Sequence, residues 1–288
     1  MQLNTLNALP PAEAQPALLT CNGTNRWATR MLEARPFASP AALFARCNDI
    51  WYNECREADW LEAFAQHPRI GDIGSLKEKY AATKNWAAGE QQGVAQASAA
   101  TLEQLAAANR AYEEKFGFIF IVCATGKPAE EMLWLLQDRL ENNQDEELLV
   151  AMGEQCKITH LRLRKLLAEE PLPEAPRSQV TTHVLDTSAG HPGQNISIRL
   201  KARNGSQWQT IAQGVTNADG RIANLLPPGR ILPPGPYQMA FDTGTYFDRQ
   251  KIRGFYPEVD IAFTIFDGSH YHVPLLVNPF GYSTYRGS

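Results

Sequence analysis

Three histidines and one arginine in the last 110 or so residues of the chain have types and spacing suited to acid–base chemistry. His270 and His272 are two residues apart, so on a regular strand they share one face, and His183 lies in the segment VTTHVLD. A neutral imidazole near pH 7 can take a proton from water. Arg221 follows the turn NADG, whose glycine allows a positive φ and directs the next side chain onto the sheet. The same pattern also fits structural histidines and a solvated hairpin charge.

Two further interpretations of this region depend on its C-terminal sequence and on the histidine spacing. The C-terminal sequence Tyr285-Arg286-Gly287-Ser288 could fold over a pocket and offer a guanidinium, a hydroxyl and a carboxylate, or it could be a frayed end. His-x-His with a third histidine is also a set that binds zinc. The sequence shows no acidic partner and no fourth ligand for a metal. A zinc site is therefore the less favoured alternative.

A second group of candidates lies in the first part of the chain. Pro68 biases His67 away from the α region, so the helix WLEAFAQ is predicted to end there and to present the imidazole at its terminus. A histidine that caps helix carbonyls is the competing interpretation. The stretch FGFIF places a glycine between aromatic residues, where backbone groups can approach a ligand. Arg162, late in a helix, suits either a carboxylate anchor or a dipole-stabilising charge.

The elements that must position these residues change character near residue 170. Upstream, stretches such as TLEQLAAANRAYEEKF keep the three- and four-residue spacing of a helical face. The proline-rich EEPLPEAPRSQ follows, and then come β-rich runs separated by Gly and Pro turns. The sequence predicts a multidomain chain. It has an all-α domain over 1–168, a linker over 169–179, and an all-β sandwich over 180–288 whose one short helix is TGTYFDRQK.

Composition excludes several classes of function. The 288 residues carry a formal net charge of −4, which offers no basic field for nucleic acid or anionic lipid. No stretch approaches about 20 apolar residues, and the N-terminus lacks the basic start of a secretory signal. The five cysteines form no CxxC and favour reduced core residues. We expect a cytoplasmic protein without nucleic-acid or membrane partners.

The β-rich part resembles 5-hydroxyisourate hydrolase, the enzyme branch of the transthyretin-like family, in VTTHVLDTSAGHPGQNISIRL, NADGR and YHVPLLVNPFGYSTYRGS. The resemblance implies hydrolysis of the ring amide of 5-hydroxyisourate. It also implies that His183, Arg221 and His272 are catalytic and that Ser288 completes the site. The other tail residues would bind substrate: Tyr285, Arg286 and Gly287.

The helical part resembles the 2-oxo-4-hydroxy-4-carboxy-5-ureidoimidazoline (OHCU) decarboxylase family. The matching stretches are HPRIGD, EQQG, NRAYEEKFGFIFIVCATGKPAEEML and RLENNQDEELLVAMGEQCKITHLRLRKLL. The resemblance implies that His67 is catalytic and that Glu90 is its orienting or charge-balancing partner. The implied substrate-binding residues are Pro68, Gln91, Phe118, Ile119, Phe120, Ile121 and Arg162. No cofactor is expected, because the imidazoline ring carries its own conjugated carbonyl and imine as an electron sink.

The two resemblances together predict a bifunctional enzyme of urate degradation that binds two small molecules in turn. The product of the hydrolase, OHCU, is the substrate of the decarboxylase, and the expected end product is S-allantoin. A symmetric homo-oligomer, dimer or tetramer, is expected. Two alternatives remain at this point: a non-catalytic transthyretin-like protein that binds a small molecule, and a zinc-dependent hydrolase.

Overall fold

The computed structural model describes residues 1–68, 99–222 and 224–287 of the chain. These residues group into two units. One comprises Met1–Glu147 and Glu154–Glu174, and the other comprises Leu148–Gly153 and Ala175–Ser288. Glu90, Gln91 and Ser288, three of the predicted site residues, lie outside the described ranges.

The described part of the first unit is helical. Its helices are α1 (Leu3–Ala8), α2 (Pro11–Asn22), α3 (Asn25–Glu33), α4 (Pro40–Asp49), α5 (Glu57–Phe64), α6 (Ala99–Phe116), α7 (Ala129–Arg139) and α8 (Gln144–Leu166). A π-helical turn, Ile50–Glu54, continues α4. Local sequence sets several ends. Asn143 and Glu146 form a capping box at the start of α8, and Gly117, with φ +74°, follows the last residue of α6.

Large side chains fill the interior of the helical unit. Trp27, Trp51, Phe64 and Tyr112 are fully buried. The five cysteines are free and buried, as their spacing predicts. No helix in the described part of the chain is long and apolar enough to cross a membrane.

The second unit is a sandwich of short strands. They are β1 (Val180–Thr181), β2 (Val184–Asp186), β3 (His191–Pro192), β4 (Ser197–Asn204), β5 (Gln207–Val215), β6 (Gly235–Phe241), β7 (Val259–Ile265), β8 (Tyr271–His272), β9 (Leu275–Asn278) and β10 (Gly281–Thr284). One sheet has the order β5-β4-β6-β7 and the other β10-β9-β2-β3, while β1 and β8 form a separate parallel pair. Apolar side chains of both sheets share one core, which includes Ile198, Met239, Phe241 and Leu275.

The predicted fold class is confirmed. The chain combines a helical part with a β sandwich, and the segment TGTYFDRQK forms helix α9 (Thr243–Arg249) between β6 and β7. The predicted domain limits of 1–168, 169–179 and 180–288 stay predictions. Residues 171–178 carry neither helix nor strand, as the proline-rich sequence there leads one to expect.

Candidate active sites

Strand pairing brings the segments VTTH and HYHV side by side. In the β1–β8 pair Thr181 lies opposite His272, and the amide of Val273 donates to the carbonyl of Thr181 at 2.9 Å. Two residues further on, the amide of Leu275 donates to the carbonyl of His183 at 2.9 Å. Residues more than 90 positions apart in the chain therefore share one patch of the sandwich.

A glycine turn places Arg221 on the other side of His183. The side-chain oxygen of Asn217 accepts from the amide of Arg221 at 3.0 Å, and Gly220 has φ +69°. A Cβ on Gly220 would lie 2.3 Å from the carbonyl oxygen of Val184, so only glycine fits this close turn. His183 and Arg221 pair through an isolated antiparallel bridge. The structure thus brings together His183, Arg221 and His272.

The charges around the two histidines favour neutral imidazoles. Burial lowers the pKa of the half-buried His183, the Arg221 guanidinium lowers it further, and the backbone carbonyl and carboxylate of Asp219 act in the opposite direction. Burial also lowers the pKa of His272 from its usual 6.5, with smaller contributions from Arg221, His270 and His183. A neutral imidazole at neutral pH is available as a base.

These pKa directions give a prediction for the pH dependence of hydrolysis. A base is active while unprotonated, and both pKa values lie below 6.5, so kcat/KM should hold as the pH falls through 6.5 and decline only at lower pH. Arg221→Gln removes a positive charge that disfavours imidazolium, so its acid limb should move to higher pH. Arg221→Lys keeps the charge and should leave the limb near the wild-type position. An acid limb in Arg221→Gln at or below the wild-type position would contradict this electrostatic assignment.

The C-terminal tail lies along β8 and contacts the site. The amide of Gly287 donates to the carbonyl of His272 at 3.0 Å, and the Arg286 guanidinium carbon lies 5.7 Å from the ring centroid of Tyr271. A cleft of about 380 Å³ opens beside it, lined by residues that include Phe263, His272 and Tyr285. The described part of the tail is therefore held against the sheet, with Tyr285 lining the cleft, Arg286 near Tyr271 and Gly287 against His272.

Gly287 is the point of closest approach between the tail and the histidine. A Cβ there would lie 2.4 Å from Cδ2 of His272, closer than real contacts allow. Gly287→Ala should therefore displace the ring or the tail and reduce kcat/KM for hydrolysis about 10²-fold, the scale of a misplacement near 1 Å. Gly281→Ala is a matched control on the same tail, because its nearest contact would be an ordinary 3.5 Å. Equal hydrolysis rates in the two variants would show that this contact does not matter.

The described residues hold no group of three or more His, Cys, Asp or Glu side chains arranged to bind a metal ion. His270 and His272 instead contact one hydroxyl, that of Thr181, at 2.8 Å and 2.9 Å. The sequence argument gave Thr181 no role. Its contacts depend on a strand pairing between distant segments.

In the helical unit, His67 follows the end of α5. The helix proper ends at Phe64, two residues earlier than predicted, and a tight turn follows in which the amide of His67 donates to the carbonyl of Phe64 at 3.1 Å. The ring of Phe64 packs against Phe118, with centroids 5.4 Å apart. This contact places the turn that carries His67 next to the predicted backbone-contact segment. Pro68 is buried.

The side chain of His67 is held neutral. Burial lowers the pKa of His67 to about 3, the Arg162 guanidinium contributes to the lowering, and the amide of Gln155 acts in the opposite direction. The Nε2 atom of His67 is buried and has no hydrogen-bond partner among the residues that the structure describes. The Arg162 guanidinium therefore lies within electrostatic reach of His67.

Buried ionic groups hold the backbone of the segment Phe118–Ile121. Arg139 donates from Nη1 to the carbonyl of Ile121 at 2.7 Å, its guanidinium carbon lies 4.6 Å from the ring centroid of Phe120, and it pairs with the buried Glu147. The carbonyl of Ile121 is therefore already occupied. Within the described ranges, no hydrogen bond engages the backbone of Phe118, Ile119 or Phe120.

Gln155 is a second residue that the sequence argument missed. It is fully buried in α8, its amide nitrogen donates to the carbonyl of Asn22 at 2.7 Å, and its oxygen lacks a partner among the described residues. A polar residue inside a helical pattern gives no signal of its own, because its neighbours depend on how α2 and α8 pack.

Sequence comparison places both halves of the chain in known families. The profile of the OHCU decarboxylase family matches residues 7–164, and that of the HIUase/Transthyretin family matches residues 180–287. The chain therefore belongs to the OHCU decarboxylase family and carries a domain of the HIUase/Transthyretin family.

Relatives of the whole chain and of each half are known. The uric acid degradation bifunctional protein TTL of Arabidopsis thaliana is 34% identical, with 93% of this chain and 96% of that protein covered. The 5-hydroxyisourate hydrolase of Mus musculus is 44% identical over 38% of this chain and 96% of its own length. A crystal structure of OHCU decarboxylase in the presence of (S)-allantoin is 39% identical over 52% of this chain and 96% of that chain, with a TM-score of 0.45.

Proposed function

We propose that the chain converts 5-hydroxyisourate to (S)-allantoin in two steps, hydrolysis in the β sandwich and decarboxylation in the helical unit. The observation that carries the proposal is the presence of both family domains in one chain, matched along its length by the Arabidopsis thaliana bifunctional protein. The convergence of His183, Arg221 and His272 on one patch supports the first step.

In the hydrolytic step His272 acts as the general base, with His183 helping to orient the water. The water oxygen bonds to the ring carbonyl carbon while its proton moves to His272. Arg221 donates hydrogen bonds to the oxyanion that forms. When the ring C–N bond breaks, the leaving nitrogen takes the proton from His272, which restores the neutral base. Tyr285, Arg286, Gly287 and Ser288 close the site around the substrate.

In the decarboxylation step the substrate itself accepts the electrons. The C–C bond to the carboxylate breaks, CO2 leaves, and the electron pair enters the conjugated carbonyl and imine of the ring. Arg162 anchors the anionic group. His67 is the acid–base group, and a proton is delivered to one face of the ring. Glu90 orients His67 or balances its charge, and Gln91 and the backbone of Phe118–Ile121 bind the ureido and ring groups.

Substrate binding would itself raise the pKa of His67. The positive charge of Arg162 lowers the pKa of His67 in the free protein. An anion paired with Arg162 would cancel part of that field, so the pKa of His67 would rise towards the range where proton transfer is efficient.

A single assay separates this function from its two competitors. The purified chain is mixed with freshly generated 5-hydroxyisourate, and ultraviolet absorbance is followed with and without exhaustive chelation. We expect loss of the substrate well above the buffer rate and no effect of the chelator. Decay at the buffer rate would favour a binding protein without turnover, and loss of activity on chelation would favour a zinc-dependent hydrolase.

We also propose that the chain forms a homo-oligomer, with the sandwich sites at subunit contacts. Strands β7 and β10 end their sheets, and several large apolar side chains of this unit are exposed, among them Phe266, Phe280 and Tyr285. Analytical ultracentrifugation should find a dimer or tetramer. A fully active monomer would contradict the interface position. The cytoplasmic location stays a prediction from the sequence.

A further inference from the structure

The hydroxyl of Thr181 links the two histidines of the HYH segment. Its oxygen lies 2.8 Å from Nε2 of His270 and 2.9 Å from Nδ1 of His272. The two rings are nearly parallel, with centroids 6.5 Å apart. Within the described ranges the hydroxyl has no other hydrogen-bond partner. The hydroxyl can therefore donate its one hydrogen to one ring and accept a hydrogen bond from the other.

The direction of the Thr181–His272 hydrogen bond fixes which nitrogen of His272 is free. A neutral imidazole carries its proton on one nitrogen only. If Nδ1–H donates to the Thr181 oxygen, Nε2 keeps its lone pair and can take a proton. If the hydroxyl donates to Nδ1 instead, the proton is on Nε2 and the base is blocked. Only the first direction suits the role of His272 in the proposed hydrolysis.

The change of charge during the reaction favours the same direction. When His272 takes a proton from water, both of its nitrogens become donors. An oxygen of Thr181 that already accepts from Nδ1–H keeps its bond through this step, and the bond strengthens because it becomes charge-assisted. A hydroxyl that donated to Nδ1 would have to rotate away. His270, exposed to solvent, offers Nε2 as the acceptor that turns the hydroxyl hydrogen away from His272.

We propose that Thr181 is a positioning residue of the hydrolytic site, whose hydroxyl holds His272 in the Nδ1–H tautomer and leaves Nε2 as the base. This inference rests on the proposed hydrolysis and names a residue that sets its rate. Thr181 acts through His272 and needs no contact with substrate.

The first test compares three variants of the full chain. Thr181→Val keeps the shape and removes the hydroxyl, and we expect kcat for 5-hydroxyisourate to fall about 10- to 100-fold with KM little changed. This loss does not exceed the contribution of a whole general base, about 10²- to 10⁴-fold, because His272 itself remains. Thr181→Ser should restore most of kcat. Thr182→Val is the matched control, because the hydroxyl of Thr182 donates to the carbonyl of Val273 at 2.7 Å and contacts neither ring. That variant should lose stability and keep its kcat.

The second test does not depend on turnover. Nitrogen-15 spectra of the histidine-labelled full chain, with the His272 signals assigned by His272→Gln, should show Nδ1 protonated and Nε2 unprotonated in the wild type. The preference should weaken in Thr181→Val. A wild-type His272 protonated on Nε2, or equal losses of kcat in Thr181→Val and Thr182→Val, would overturn the proposal. A wild-type chain that fails to hydrolyse 5-hydroxyisourate would instead refute the proposed function.

Discussion

Replacement of His272 by glutamine should slow hydrolysis of 5-hydroxyisourate by about 10²- to 10⁴-fold, the usual contribution of a general base. Glutamine keeps a polar side chain of similar reach, but its amide does not take a proton from water. Since the helical unit carries its own site, decarboxylation of OHCU should continue at the wild-type rate. The absorbance of 5-hydroxyisourate measures the first activity, and release of CO2 from separately prepared OHCU measures the second.

His191→Gln is the control for this experiment. His191 is exposed in β3, and its Nδ1 lies 3.0 Å from the carbonyl of Pro192. Its replacement should leave both activities within about twofold, as for a surface substitution of no more than about 0.5 kcal/mol. Full hydrolysis in His272→Gln would remove the base from the mechanism.

Replacement of His67 by glutamine should have the reciprocal effect. Decarboxylation of OHCU should fall by about 10²- to 10⁴-fold, because glutamine lacks a group that can exchange a proton with the substrate. Hydrolysis should be unchanged, so OHCU should accumulate and decay only at its uncatalysed rate. Circular dichroism of the product solution then shows little or no enantiomeric excess of allantoin.

His160→Gln tests whether the loss reflects His67 itself or merely the removal of an imidazole from the helical unit. His160 is buried there, its Nε2 contacts the side-chain oxygen of Asn48 at 2.7 Å, and its ring stacks on Phe44. Glutamine can keep that hydrogen bond, so the expected loss of stability is about 1 kcal/mol, with decarboxylation largely retained. Equal losses of activity in His67→Gln and His160→Gln would argue for a structural role of both.

Much of the hydrolytic site was predictable because local rules place its parts. Alternation puts His270 and His272 on one strand face, and the glycine of NADGR turns Arg221 towards His183. The contacts of the Thr181 hydroxyl with His270 and His272 were not predictable in this way. They depend on the parallel pairing of two-residue strands 91 positions apart, and such short strands carry no pattern that fixes their register.

The helical site, too, was predictable from the sequence only in part. The helix end before Pro68 and the break at Gly117 follow from backbone preferences, although α5 stops two residues earlier than predicted. The buried pair of Arg139 and Glu147 has no sequence signal, because spacing does not distinguish it from ordinary surface charges. Its position beneath Phe120 and Ile121 results from the packing of α7 and α8, which only the assembled fold determines.

The central claim is that one chain performs both steps, and the configuration of the allantoin formed tests it most directly. The purified wild-type chain is mixed with freshly generated 5-hydroxyisourate, and the product is followed by circular dichroism until the signal is stable. We expect rapid disappearance of the substrate followed by a large signal of (S)-allantoin, formed faster than either intermediate decays in buffer. Racemic allantoin, formed at the buffer rate, would contradict the account.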